Sequence, residues 1–132
     1  MAIISFDFDD TLVTRMQPKR PGDLLHRVGL ERPVRLVLDA LRSTHAAGHV
    51  AVIVTARTKP LHPWRKSPPT IRWWLRQWAL PLNVYYTDGR LKGPLLRKLG
   101  AKMHWDDNAA QLQSAREHGI AVVEVTTADL FT

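Results

Sequence analysis

Apolar positions along the chain follow two alternating rhythms. Short, nearly unbroken runs occur at Ile3-Ile4-Ser5-Phe6, Val50-Ala51-Val52-Ile53-Val54, residues 82–86, residues 101–105 and residues 120–125. Consecutive apolar residues in runs of this length predict strands buried on both faces, as in a parallel sheet. Between the runs, apolar residues recur every three or four positions. Val34, Val37, Leu38 and Leu41 predict a helix with Pro33 in its first turn, ended by Gly48. Ile71, Trp74, Leu75 and Trp78 predict a second, capped by Ser67 or Thr70, with Trp74 and Trp78 in the core and Trp73, Arg72 and Arg76 turned away. A short third helix passes through Leu95, Leu96 and Leu99 to Gly100, and Asn108 caps a last one that closes at Gly119. Residues 13–32, with Pro18, Pro21, Gly22 and Gly29, read mostly as loop, and residues 58–70 as a basic, proline-rich loop.

Strands alternating with helices predict an α/β fold: a doubly wound three-layer sandwich with a five-stranded parallel sheet, right-handed crossovers and helices on both faces. Its 132 residues suit a single domain, 1–132, with a core large enough to fold alone, and no repeat or linker divides it.

The chemistry gathers at strand ends. The first strand runs directly into Asp7, Asp9 and Asp10, three carboxylates within four positions. In open α/β sheets ligands bind just past the carboxyl ends of the strands. Carboxylates so crowded repel one another unless a cation or proton neutralises them, and Mg²⁺ is the simplest cation for hard oxygen donors. Six scattered histidines lack paired metal-ligand spacing, so zinc is not expected, and His104 reads as packed. The absence of cysteine excludes disulfides, thiolate metal sites and cysteine catalysis.

Asp7-Phe8-Asp9-Asp10-Thr11-Leu12 resembles the DxDx[TV]L nucleophile motif of the haloacid dehalogenase (HAD) superfamily of phosphohydrolases. Three further segments resemble its later motifs in order: the strand ending in Thr55-Ala56-Arg57, Lys92, and Trp105-Asp106-Asp107-Asn108. The resemblance implies the strand order 5-4-1-2-3, in which Asp7, Thr55 and Asp106 converge. It implies Asp7 as nucleophile and Asp9 as the acid that protonates the leaving oxygen and later activates water. Mg²⁺ would be held by Asp7, the backbone carbonyl of Asp9 and Asp106, with Asp107 acting through water or as an orienter. Thr11, Thr55 and Arg57 would grip the substrate phosphate. Lys92, just before its helix, faces the same sheet edge and would balance the charge of the transferring group. Asp88 would hold Lys92, or would simply form an Asp-Gly turn.

Net charge is +7, and with five of the twelve acids assigned to the two acidic motifs, seven remain against nineteen Lys and Arg. Such a balance favours an anionic partner, most commonly nucleic acid. The stretch from Arg57 to Trp78 mixes Lys, Arg and His with four tryptophans, of which Trp64 and Trp73 are free to stack on bases. Neither inter-motif segment is long enough for a full cap domain, so the site is expected to be open to a macromolecular end. Within the superfamily the likeness runs to the 3′-phosphatase domain of phage-type polynucleotide kinase-phosphatases, although no Gly-rich phosphate loop is present and kinase activity is not expected. The expected activity is thus removal of 3′-phosphates from nucleic-acid ends. The alternatives are a phosphatase of mononucleotides or other small phosphates, a phosphoprotein phosphatase, and a non-catalytic nucleic-acid-binding module. Without an apolar run of membrane-spanning length or a leader-like N-terminus, a cytoplasmic, non-membrane protein is expected, its oligomeric state left open.

Overall fold

The computed structural model describes residues 1–15, 31–60 and 70–131. Five parallel strands make the central sheet: β1 (Ile3–Phe6), β4 (Val50–Thr55), β5 (Asn83–Tyr86), β6 (Ala101–Asp106) and β7 (Ala121–Glu124). Their order is β5-β4-β1-β6-β7, with β1 in the centre. The expected order counted the parallel strands alone. The difference in detail is a separate antiparallel pair, β2 (Val13–Arg15) with β3 (Glu31–Pro33), in a region read from sequence as mostly loop. Three-residue strands are too short to show a period of two, which is why they escaped the pattern. Residues 16–30 of that segment lie outside the described residues.

The alternation of β4 builds both halves of the core. Ala51 and Ile53 join a cluster with Phe6, Phe8, Val37, Leu41, Ile71, Leu75 and Trp78, under α1 (Arg35–Ala46) and α2 (Ile71–Gln77). Val52 and Val54 join Leu96, Ala101, Ala115 and Ile120 on the opposite face, under α3 (Gly93–Leu99) and α4 (Ala109–Glu117). A final turn, α5 (Thr127–Leu130), starts with a capping box between Thr126 and Asp129.

Local signals set the helix starts, with one correction. Pro33 ends β3 rather than opening the helix: Val34 is extended, its N–H donates to the Leu12 carbonyl at 2.7 Å, and α1 begins at Arg35. Thr70 caps α2 by accepting from the Trp73 N–H, whereas Ser67, the other candidate, lies outside the described residues. Asn108 caps α4 by accepting from the Gln111 N–H. Trp78 is buried, Trp74 packs partly buried beside it with ring centroids 5.5 Å apart, and Trp73 is exposed. Among the described residues, no helix is long and apolar enough to cross a membrane.

Candidate active site

Strand register assembles the centre. Ser5 of β1 stands beside His104 of β6, and the ladder continues with the Asp7 N–H donating to the Trp105 carbonyl at 2.8 Å. A period of two therefore carries Ser5 and Asp7, and His104 and Asp106, onto the face covered by α3 and α4. Lys92, the residue before α3, reaches into the pair: its Nζ lies 2.7 Å from Asp7 Oδ1 and 2.8 Å from Asp106 Oδ2. All three are buried.

Asp106 is saturated with donors. Oδ2 takes Lys92 Nζ and, at 2.7 Å, His104 Nε2, while Oδ1 takes the backbone N–H groups of Asp107 and Asn108 at 2.9 and 3.1 Å. Four donors fill the four lone-pair positions of a carboxylate. Burial works against the charge, but the His104 and Lys92 donors outweigh it and hold Asp106 well below the usual carboxylate range. Asp7 moves the other way: burial pushes its carboxyl well above the ordinary value, with Lys92 pulling against that shift. Burial also raises Asp107, which lies within hydrogen-bonding reach of Asp7. Burial lowers His104, opposed by its bond to Asp106.

The three carboxylates of Asp7, Asp106 and Asp107 can each bring an oxygen within 4.8 Å of the others, a hard-donor set that could hold a divalent cation. Within that set Asp106 and Asp107 differ in their surroundings. Asp106, the last residue of β6, has no lone pair left unbonded, whereas Asp107 is half-buried and adjoins Asp7. Thr11, expected against substrate, is instead fully buried; its hydroxyl donates to Asp7 Oδ2 at 3.1 Å and to Asp107 Oδ1 at 3.4 Å, tying the two acids together.

The loop after β1 is sharply folded. The Phe8 carbonyl accepts from the N–H groups of Thr11, Leu12 and Val13, and Asp10 adopts a left-handed backbone with φ of 56°. The turn leaves Asp9 exposed at a cleft of about 620 Å³ that it shares with Thr14, Glu31 and Arg57. The Arg57 guanidinium grips both Asp9 oxygens, at 2.8 and 2.6 Å, and touches Glu31 Oε2 at 3.4 Å. Arg57 and Asp9 side chains are 30% and 49% exposed. Both partners therefore stay within reach of solvent and of an arriving anion. Thr55 is buried, and its hydroxyl accepts from the Arg57 N–H at 3.2 Å, so it shapes the loop that presents the arginine.

Of the two readings of Asp88, the turn is the one formed. Asp88 and Gly89 both have positive φ, at 52° and 77°, and the Arg90 N–H closes on the Thr87 carbonyl at 3.0 Å. The Asp88 carboxylate accepts from Thr58 Oγ1 at 2.5 Å and does not pair with Lys92, whose ammonium is committed to Asp7 and Asp106.

What seats Lys92 is α4. Gln111 Oε1 accepts the Lys92 N–H at 2.8 Å, and Ser114 Oγ accepts the Gly93 N–H at 3.0 Å. A side chain at 93 would collide with Ser114 and His118, so only glycine lets the start of α3 approach α4 this closely. Gln111, Glu31 and His104 were missed as site residues, since single polar residues carry no spacing signal. Gly93 beside Lys92 is the one hint the chain offers. Trp64, Arg65 and Lys66 of the proposed nucleic-acid surface lie outside the described residues.

No family model matches the chain, and no curated protein does. Among solved structures, it is similar to a chain in the structure of the Pnkp1/Rnl/Hen1 RNA repair complex, with a TM-score of 0.64 and 17% identity over 95% of this chain and 42% of that one. A second structure of the Pnkp1/Rnl/Hen1 complex gives a TM-score of 0.60 and 16% identity, over 95% of this chain and 45% of that one. This chain spans less than half the length of the chains it matches, and at such identity the shared property is the fold.

Proposed function

We propose that the protein is a Mg²⁺-dependent phosphomonoester hydrolase of the HAD type, which works through an aspartyl-phosphate on Asp7 and removes 3′-phosphates from nucleic-acid ends. The observation that carries this reading is the buried Lys92 ammonium shared by Asp7 and Asp106 at the carboxyl edge of the central strand, with Asp107 beside Asp7. A lone buried carboxylate would be protonated and inert as a nucleophile. Here the Lys92 ammonium is hydrogen-bonded to it and pulls against the rise that burial and the neighbouring acids impose, which fits a group that must be anionic when it attacks.

In the first half-reaction an Asp7 oxygen forms a bond to phosphorus as the ester P–O bond breaks, and Asp9 gives its proton to the departing ester oxygen, which leaves as a hydroxyl. In the second, Asp9 takes a proton from water, the water oxygen bonds to phosphorus, and the P–O bond to Asp7 breaks to free inorganic phosphate. Lys92 balances the charge on the transferring group. Arg57 can exchange Asp9 for a phosphate oxygen, which frees Asp9 for its proton. Mg²⁺, held by Asp7, the Asp9 backbone carbonyl and Asp107, would supply Lewis-acid stabilisation of the phosphoryl oxygens.

A nucleic-acid substrate is supported by the excess of nineteen Lys and Arg over twelve acids and by the fold shared with chains of an RNA repair complex. Phosphate release with Mg²⁺ from 3′- and 5′-phosphorylated DNA and RNA oligonucleotides, mononucleotides and phosphopeptides tests the reading. Preference for oligonucleotide 3′-phosphates is the expected result. A preference for mononucleotides moves the substrate to small phosphates, and no release from any of them refutes the proposal.

A further inference from the structure

Ser5 is out of place by pattern. It is the one polar residue in the Ile3-Ile4-Ser5-Phe6 run of the central strand, yet it is fully buried. His104 faces it across the β1–β6 ladder and is equally buried. A buried polar pair that only filled volume would be inferior to leucine, because desolvating polar groups costs free energy that hydrogen bonds merely offset. Breaks in a local rule of this kind concentrate where function demands them.

Each end of the imidazole has a specific partner. Ser5 Oγ lies 2.8 Å from Nδ1, and Asp106 Oδ2 lies 2.7 Å from Nε2. The carboxylate can only accept, so Nε2 carries the hydrogen and donates. Asp106 Oδ1 is meanwhile fixed by two backbone N–H groups, so the ring is what fixes Oδ2 from the protein interior. That same oxygen receives Lys92 Nζ, and Lys92 sits on a flexible four-carbon stem. Asp7 Oδ1 lies at the far end of the chain of bonds.

We infer that Ser5 and His104 form a buried strut that positions Asp106, and through it Lys92, for phosphoryl transfer at Asp7. The inference rests on the reading of Asp7 and Lys92 as the phosphoryl-transfer pair, which it deepens. Neither residue touches substrate. The strut orients a carboxylate, the carboxylate orients an ammonium, and the ammonium meets the transferring phosphate. Outer partners that orient metal ligands typically contribute about 10- to 100-fold in affinity or activity, and the same scale is expected for this strut.

The test uses Ser5→Ala, His104→Leu and His104→Gln, with hydrolysis of p-nitrophenyl phosphate under saturating Mg²⁺, and NMR of the wild-type imidazole protons. His104→Leu, which keeps bulk without a donor, is expected to lower kcat by about 10- to 100-fold with little change in KM. His104→Gln, whose amide N–H can reach Asp106, is expected to recover most of that loss. Ser5→Ala is expected to lower kcat in the same direction by less. The His104 Nε2–H resonance is expected to be protected from solvent exchange and to move in Asp106→Asn. Wild-type kcat in folded His104→Leu overturns the strut, as does equal loss in the Leu and Gln variants, or a freely exchanging ring proton. If His104→Leu does not fold, Ser5→Ala decides, and an unchanged kcat there overturns the strut. A wild-type protein inactive on every phosphomonoester overturns the functional reading and this inference with it, whereas an active wild type with any of the preceding results overturns the strut alone.

Discussion

Asp106 and Asp107 are adjacent in the chain and turn to opposite tasks: Asp106 buries both oxygens among four donors, while Asp107 adjoins the carboxyl of Asp7. One residue of offset at the end of a strand changes which side of the sheet a side chain serves. Asp106 therefore anchors Lys92, and on the proposed reading Asp107 is the acid that would meet a cation.

Asp107→Asn is accordingly expected to weaken Mg²⁺ more than Asp106→Asn does. Asp106→Asn should instead lower stability by about 3 kcal/mol, since it breaks a buried ion pair. Mg²⁺ titrations by calorimetry, with chemical denaturation of both variants, check this; a weaker Mg²⁺ affinity in Asp106→Asn than in Asp107→Asn would restore the ranking expected from chain position.

Asp7→Asn is expected to reduce turnover by at least about 10³-fold, the scale seen when a reacting group is removed. Stability should hold or rise, because burial already disfavours the Asp7 charge. Near-normal turnover would eliminate the aspartyl-phosphate route.

Arg57 holds Asp9, and on the proposed reading a substrate phosphate takes the guanidinium over. Arg57→Lys keeps a charge but loses the fork, so KM for phosphomonoesters should rise by about tenfold, equivalent to roughly 1.4 kcal/mol. Steady-state kinetics on p-nitrophenyl phosphate decide it. A loss confined to kcat would mean that Arg57 serves Asp9 rather than substrate.

Gly93→Ala places a methyl group against Ser114 and His118. Overpacking of this kind costs about 1–3 kcal/mol, and relief requires the start of α3 to move away from α4. Because Lys92 rides on that start, kcat should fall together with the denaturation midpoint. Wild-type kcat in this variant would show that Lys92 does not depend on the α3–α4 contact.

Grip on a strand is expected to appear as a salt-dependent preference for oligonucleotides. Lys59 and Arg72 line a surface hollow with Tyr85 and Tyr86, adjoining the edge where Arg57 stands. Lys59→Ala with Arg72→Ala should reduce the kcat/KM advantage of oligonucleotide over mononucleotide 3′-phosphates by several-fold at low salt and by less as salt rises. An advantage unchanged by these substitutions would place the contact elsewhere.

Much of this molecule was legible in local pattern. Apolar runs and three-to-four spacing located all five parallel strands and α1 to α4, though not the short α5, because burial on two faces or on one stripe leaves its period in the residues themselves. Thr70 and Asn108 announced their helices because a cap acts within three residues. The carboxylate run at Asp7 and the position of Lys92 before its helix marked the sheet edge where they meet. Pairings between distant residues were not legible. That Ser5 reaches His104, 99 positions away, follows from strand register. That Lys92 bonds Asp106 rather than Asp88, four residues off, follows from Gly93 letting α3 close on α4. Sequence spacing determines which face of an element a residue occupies, while the choice of partner depends on distances of a few tenths of an ångström between elements, and only the packed tertiary structure decides those.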